Sequence, residues 1–147
     1  MSALIDCLGD PMHPDVRFEA ANALRRWISR GKEQPARLYD RKKGTGILAD
    51  RKFRPAEAES VLDLLDGLTT QDLRQPETYD TLLDYLKHNR IEVRELAYAH
   101  LIEAVGEDGR KVNYSPAGDS EQINQGAEEW KKLIMSKLTQ KPKPPGK

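Results

Sequence analysis

The sequence contains a single cysteine, Cys7, and no long hydrophobic run. One cysteine excludes an intramolecular disulfide and a zinc site built from several cysteines. The longest uninterrupted apolar stretch is far shorter than the roughly 20 residues that span a bilayer, so we expect no membrane insertion. The N-terminus also lacks the charged and apolar regions of a signal peptide, which slightly favours the cytoplasm but leaves the compartment open.

Sequence motifs that carry chemistry are missing as well. The three histidines (His13, His88 and His100) form neither HExxH nor another metal-binding spacing. Gly44-Thr45-Gly46 lacks both the GxxxxGK[ST] spacing and the preceding strand of a phosphate-binding loop. No Gly-x-Ser-x-Gly elbow is present, and Cys7 has no evident basic partner. The sequence therefore predicts no enzyme activity, catalytic residue, metal or cofactor.

What the sequence does contain is a pair of short helical patterns over residues 77–105. Apolar residues at helical spacing give each pattern one face: Tyr79, Leu82, Leu83 and Leu86 in the first, and Val93, Ala97, Leu101 and Ala104 in the second. Asn89, in the break between them, is the predicted N-cap of the second helix, with Glu92 placed to reach back to it. Helices joined so closely pack antiparallel, so these residues predict a helical hairpin.

A similar hairpin is predicted over Leu4–Ile28. With one extra residue allowed in the first turn, its second helix aligns with that of the later hairpin. The matched pairs are Val16-Arg17 with Val93-Arg94, Ala20 with Ala97, and Leu24 with Leu101. Self-similarity of this kind indicates a stacked-repeat architecture.

The shared pattern Leu-x-x-Leu, turn, Val-Arg-x-x-Ala-x-x-x-Leu resembles the HEAT repeat, the two-helix unit of armadillo-like α-solenoid proteins. The resemblance covers about 50 of the 147 residues. In that family an acidic residue in the turn and the arginine after the valine form a polar ladder between repeats, and the resemblance gives this role to Asp10 and Arg17. His88 stands near the acidic position in the second copy. The connector after Val105 and the Trp-Lys-Lys-Leu-Ile stretch at 130–134 are similar to segments after the helical repeats of some uncharacterised bacterial proteins.

We therefore predict an all-α domain over residues 1–138, a short α-solenoid of HEAT-like hairpins with about six helices. Gly31 is the predicted end of the second helix. Pro55 opens a third helix, and Asp119 with Gln122 caps the last one. The third helix presents an apolar face of Ala58, Val61, Leu62, Leu65 and Leu68, and the last presents Ile123, Ala127, Trp130, Ile134 and Leu138.

Two segments lack helical periodicity. Residues 31–54 are predicted to be a long insertion, and their apolar residues are expected to pin it to the helices: Leu38, Tyr39, Ile47, Leu48 and Phe53. Residues 139–147 are predicted to form a disordered tail rich in proline and lysine.

Charge is zero overall but unevenly distributed along the chain. Residues 25–54 contain 11 Lys and Arg against 3 Asp and Glu, whereas the remainder contains 13 against 21. This asymmetry favours a non-enzymatic protein-interaction or scaffolding module that is part of a larger protein or array. The sequence does not identify the protein partner or the oligomeric state. The alternative is binding of nucleic-acid phosphates through residues 25–54, with Tyr39 and Phe53 available for stacking. The predicted partner-binding residues are Arg17, Arg25, Arg37, Arg41, Lys42, Lys43, Arg51, Lys52 and Arg94, although Arg17 and Arg94 also suit a structural role between repeats.

Overall fold

The computed structural model describes residues 2–66 and 71–139, and this part of the chain is mostly helical. Its helices are α1 (Ser2–Leu8), α2 (Pro14–Ile28), α3 (Gln34–Leu38), α4 (Ile47–Asp50), α5 (Pro55–Leu65), α6 (Pro76–Tyr85), α7 (Ile91–Val105), α8 (Glu107–Arg110) and α9 (Ser120–Thr139), with a 3₁₀ turn at Asp72–Arg74. Within the described residues there is no strand beyond an isolated bridge between Asp40 and Thr45. The all-α prediction is therefore confirmed. The predicted positions of Leu68 and of tail residues 140–147 lie outside the described residues.

Helices α1 and α2 pack against each other, and so do α6 and α7. Both predicted hairpins are thus present, and α2 also contacts α7. The predicted faces are buried at most positions, but Val16 is 40% exposed whereas its counterpart Val93 is fully buried. The two hairpins are therefore alike in their helices but differ where α2 and α7 begin.

Helix α7 lies at the centre of the fold. It contacts α1, α2, α5, α6 and α8. Because neighbours surround it, more than one face is buried, including Val93, Leu96, Ala99 and Ile102. A helix buried on several sides loses the one-sided pattern of a surface helix.

Helix α5 packs against α7 and helix α9 packs against α6, and both contribute buried residues to the hydrophobic core. Pro55 opens α5 as predicted. The predicted cap of α9 is also confirmed, because the Gln122 backbone N–H donates to Asp119 Oδ1 at 2.9 Å while the Asp119 N–H donates to Gln122 Oε1 at 3.1 Å. The indole of Trp130, fully buried, anchors α9 in the hydrophobic core.

Residues 31–54 are more structured than their sequence predicts. They contain α3, α4 and a tight turn in which the Asp40 N–H donates to the Thr45 carbonyl at 2.7 Å. The pinning residues are confirmed, with Leu38, Tyr39, Leu48 and Phe53 buried and Ile47 partly buried against the core. Helices of five and four residues complete too few turns to leave a periodic pattern, which is why the sequence reads as a loop.

Two predicted helix ends are wrong. Helix α2 ends at Ile28 with Ser29 as its C-cap, so Gly31 lies beyond it. Helix α7 begins at Ile91 with Arg90 at the N-cap and no side-chain cap hydrogen bond. The Asn89 side chain instead donates to Glu57 Oε2 at 3.1 Å, so a contact with α5 replaces the local cap.

The turn before α4 depends on Gly46. Its φ is +134°, and a Cβ there would lie 2.7 Å from the Leu38 carbonyl oxygen and 3.0 Å from Tyr39 Cα. We therefore expect Gly46→Ala to lower the free energy of unfolding by about 2–4 kcal/mol, from backbone strain together with the clash. Urea unfolding followed by circular dichroism measures this loss.

Gly44→Ala is the matched control in the same turn. Gly44 also has a positive φ, +67°, but among the described residues the only atom within 4 Å of its Cβ position is the Tyr39 hydroxyl oxygen at 3.9 Å. We expect a loss of about 1–2 kcal/mol, the cost of the left-handed conformation alone. Equal losses at the two glycines would show that crowding at Gly46 is unimportant.

None of the helices in the described ranges combines the length and apolar character needed to cross a bilayer.

Candidate interaction surfaces

Arg17 is a buried structural residue and cannot be offered to a partner. It is 1% exposed, and its Nε donates to Oε1 of Glu95, also buried, at 2.7 Å. Its Nη1 donates to the Asp10 carbonyl oxygen at 2.8 Å. The carboxylate facing Arg17 therefore comes from α7, and the predicted side-chain pairing with Asp10 is wrong. The Asp10 carboxylate instead accepts from the Met12 N–H and lies 2.8 Å from His13 Nδ1.

Arg94 occupies the corresponding position on α7. Its Nη1 donates to the His88 carbonyl oxygen at 2.5 Å, and its Nε donates to the Pro116 carbonyl oxygen at 2.7 Å. Like Arg17, it binds the turn before its own helix with one nitrogen and the following part of the chain with another. These two bonds engage the guanidinium within the chain, which favours the structural role that the sequence also allows it.

Three predicted partner-binding arginines form ion pairs within the chain. Arg25 pairs with Glu103 on α7, Arg51 pairs with Asp6 on α1 at 2.8 Å, and Arg41 lies 3.4–3.5 Å from Asp63 and Glu59 on α5. The basic segment therefore folds back in part onto the acidic remainder of the chain. These pairs are partly or largely exposed, so each contributes at most about 1 kcal/mol.

The remaining predicted residues are exposed cations without an ion pair in the described part of the chain. They are Arg37, Lys42, Lys43 and Lys52, and nearby Arg26, Arg30, Lys32 and Arg54 are exposed and unpaired as well. We call the subset Arg26, Arg30, Lys32, Arg37, Lys42 and Lys43 the basic surface. It runs from the end of α2 through α3 to the tip of the following turn.

The turn that carries Lys42 and Lys43 is held by Asp40. Its Oδ1 accepts from the backbone N–H groups of Lys42 at 2.9 Å and Lys43 at 3.0 Å. The hydrogen bond from the Lys43 N–H, followed by that from Lys42, lowers the pKa of Asp40 below its usual value. The Asp40 carboxylate thus fixes the turn through backbone N–H groups, and neither lysine ammonium group forms an ion pair with a described residue.

The two aromatic residues expected to stack on bases are not available. Tyr39 is 5% and Phe53 is 6% exposed, and both belong to the hydrophobic core. The outer face of the Phe53 ring is covered by Arg90, whose guanidinium carbon lies 3.9 Å from the ring centroid. The predicted role of these rings in nucleic-acid stacking is therefore wrong.

Arg90 connects three parts of the fold, a role that no pattern in the sequence predicts. Beyond its contact with Phe53, it donates from Nη2 to the Lys52 carbonyl oxygen at 2.7 Å and from Nε to Glu57 Oε1 at 3.3 Å. Lys52 has a positive φ of 65°, which is unusual for a residue with a side chain. Hydrogen bonds to Glu57 from the Arg54 N–H, and then from Asn89 and Arg90, lower its pKa. No single-sequence pattern signals this cluster, since its members come from separate segments.

The histidines have structural surroundings. His13 is exposed, and His88 accepts from the Arg90 N–H at Nδ1 at 3.0 Å. His100 is buried, and its Nε2 donates to the Leu64 carbonyl oxygen. Across residues 2–66 and 71–139, no three His, Cys, Asp or Glu side chains are grouped so that they could hold a metal ion.

Burial of His100 predicts a pH-dependent stability. Desolvation lowers its pKa below the ordinary value of about 6.5. As the pH falls below that value the unfolded chain takes up a proton that the folded chain resists, so stability is lost on acidification. We expect the free energy of unfolding of the wild type, relative to His100→Gln, to fall between about pH 7.5 and 5, by no more than about 1.4 kcal/mol per pH unit.

Urea unfolding at several pH values measures this difference, and His13→Gln is the control at an exposed histidine. The His13→Gln protein is expected to retain the decline that His100→Gln loses. A difference between wild type and His100→Gln that does not change with pH would contradict the assignment of this titration to His100.

Comparison with protein-family models, curated proteins and solved structures finds no match for the chain. Its function must therefore be inferred from the residues described above.

Proposed function

We propose that the chain is a short stack of HEAT-like hairpins that serves as a non-enzymatic protein-interaction module. The repeat interpretation is supported by the equivalent bonding of Arg17 and Arg94. Each donates to a carbonyl oxygen in the turn before its own helix and to a group in the part of the chain that follows in the stack. Contact between α2 and α7 brings the two hairpins side by side, as stacking requires.

The observation that carries the binding role is the basic surface. Six exposed cations there form no ion pair with any residue that the structure describes, although the nearby Arg25, Arg41 and Arg51 are paired with acidic residues of the same chain. A concentration of one sign of charge attracts a ligand of the opposite sign and speeds its association. The partner that fits is an acidic segment of another protein.

Nucleic-acid binding through residues 25–54 is the second candidate, since the same cations can contact phosphates. Burial of Tyr39 and Phe53 removes the aromatic platforms that single-strand binding uses, which favours a protein partner. Affinities for the two kinds of ligand at the same salt concentration distinguish the candidates. If a DNA duplex binds with measurable affinity near 0.15 M salt while an acidic polypeptide does not, nucleic acid is the better assignment.

The combined substitution Arg37→Gln, Lys42→Gln and Lys43→Gln tests the basic surface. Each exposed charge contributes about 0.2–1 kcal/mol to a contact, so the three substitutions together are expected to weaken binding roughly 3–150-fold. Fluorescence anisotropy with a labelled poly-glutamate peptide measures the affinity at low salt.

The control variant carries the same change of charge elsewhere, as Lys87→Gln, Lys131→Gln and Lys132→Gln. These lysines are exposed and have no ion pair in the described part of the chain. The control is expected to bind nearly as well as the wild type. Equal weakening of both variants would mean that net charge, and not the basic surface, determines binding.

A further inference from the structure

One face of α2 is turned away from the hydrophobic core. Arg17 and Leu24 lie on the opposite face and are buried. On the outer face Val16 is 40% exposed and Ala23 is partly exposed, although α2 packs against α1 and α7. Met12, four residues before Val16, is 76% exposed and extends this face into the preceding turn. Helices pack against each other through faces of this kind, with apolar side chains along one side.

Charge divides the outer face of α2 into an acidic half and a basic half. Asp15 and Glu19 lie in the first half of the helix, Arg26 lies in its last turn, and Arg30 follows two residues after its end. Ser29, between the two arginines, keeps helical dihedrals with φ −81° and ψ −5°, so Arg30 continues the winding of the helix. At about 100° per residue, the four charged residues lie within about 30° of one line along α2.

These four charges have no ion-pair partner in the part of the chain that the structure describes, although all four side chains are exposed. Arg110 lies beside Asp15 and Glu19, but its own ion pair, at 3.8 Å, is with Glu107. Glu19 and Arg26 are too far apart in sequence to pair on one helix, which requires a spacing of three or four residues. The helix dipole favours charges such as Asp15 and Arg26 in the first and last turns but does not extend to Glu19. The pattern therefore is not explained by the stability of α2 alone.

The two halves of the face are complementary under a twofold rotation. Asp15 and Arg30 are equally far from the midpoint at positions 22–23, and so are Glu19 and Arg26. When two copies of α2 pack antiparallel about this midpoint, Asp15 faces Arg30 of the second copy and Glu19 faces Arg26 of the second copy. Each of these pairs occurs twice in a twofold contact. Parallel packing would instead bring like charges together, which is unfavourable.

We propose that the outer face of α2 is a self-association surface and that its partner is a second copy of this chain, packed antiparallel. One helix from each copy supplies less area than the roughly 1,200–2,000 Å² buried in stable interfaces, so the dimer is weak and reversible. The contact uses Arg26 and Arg30 of the basic surface but none of Arg37, Lys42 and Lys43. It therefore does not depend on the function proposed above.

A reciprocal exchange of charge tests this pairing in the full chain. Glu19→Arg places like charges together at both symmetric sites of the dimer, and Arg26→Glu does the same with negative charge. Each variant alone is expected to dimerise roughly tenfold more weakly than the wild type, or worse. An equimolar mixture of the two variants is expected to recover the association, because every substituted side chain then meets an opposite charge. Sedimentation equilibrium at low salt, over micromolar to millimolar concentrations, measures the association constants.

Two controls separate this pairing from effects of folding and of net charge. Glu19→Arg combined with Arg26→Glu in one chain restores opposite charges at each site and is expected to dimerise within about threefold of the wild type. Glu128→Lys makes the same change of net charge as Glu19→Arg at an exposed position of α9, and it is expected to leave the association unchanged. A wild type that stays monomeric, single variants that dimerise as well as the wild type, or a mixture that does not recover would overturn the proposal.

Discussion

Arg17→Met is expected to lower the free energy of unfolding by about 3–5 kcal/mol, because it leaves Glu95 buried without its partner. Both side chains of the pair are only 2% exposed, and the Nε to Oε1 distance is 2.7 Å. An isolated carboxylate in such a place resists ionisation, so the loss should become smaller at low pH, where Glu95 accepts a proton. Urea unfolding at neutral and acidic pH measures both effects.

Two further variants distinguish the buried pair from a general effect of arginine loss. Arg17→Met combined with Glu95→Leu removes both charges and is expected to recover much of the stability. Arg25→Met breaks the more exposed pair with Glu103, whose side chain is 64% exposed, and is expected to cost less than about 1 kcal/mol. A similar cost at Arg17 and Arg25 would contradict the role given to the buried pair.

Trp130→Ala is expected to lower the free energy of unfolding by about 3–5 kcal/mol, since it empties the largest fully buried site of the core. The indole packs edge-on against Tyr98 with a centroid distance of 6.1 Å. It also fills the space beside Gly109, where a Cβ would lie 2.5 Å from Trp130 Cη2. Urea unfolding, followed by circular dichroism at 222 nm as is usual for helices, measures the loss.

Trp130→Phe is the informative comparison at this site. Within the described residues Trp130 Nε1 has no hydrogen-bond partner, and a buried donor left unsatisfied costs about 1–3 kcal/mol. Phenylalanine keeps an aromatic ring and removes this donor, so we expect the loss to be less than half that of the alanine variant. A phenylalanine variant as unstable as the alanine one would show that the indole N–H contributes a favourable contact.

The helices could be predicted where apolar spacing runs over several turns. Tyr79, Leu82 and Leu83 on α6 are examples, and their spacing alone identified the buried face. The cap formed by Asp119 and Gln122 was predictable because both partners lie within one turn of chain. Interactions of this kind can be predicted because both partners are close together in the sequence.

Interactions between distant residues could not be predicted in the same way. Glu95 accepts a hydrogen bond from Arg17, which lies 78 positions earlier in the chain. The Asn89 side chain does not cap α7 as expected but donates to Glu57, 32 positions earlier. One signal was available for Glu95, because it falls between Val93 and Leu96 in a helix with more than one apolar face. A charged residue there needs a buried partner, although its identity depends on the packing of α2 against α7.

The candidate surface was predictable in outline only. The excess of positive charge in residues 25–54 is visible in the sequence, but which cations are free depends on acidic side chains elsewhere. Asp6, Asp63 and Glu103 each engage one of the predicted arginines, and the sequence places all three far from their partners. Of the predicted contacts, Arg37, Lys42, Lys43 and Lys52 are exposed and have no ion pair among the described residues, and the proposed function rests on the first three, which belong to the basic surface.

Affinity capture from a native lysate treated with nuclease tests the central claim most directly, with the wild type compared with the variant carrying Arg37→Gln, Lys42→Gln and Lys43→Gln. We predict that the wild type and the Lys87, Lys131 and Lys132 control retain acidic proteins at about 0.15 M salt, and that the variant with the altered basic surface does not. Retention that occurs only in a parallel lysate without nuclease, or that is equal for all three proteins, would contradict a protein-binding role for the basic surface.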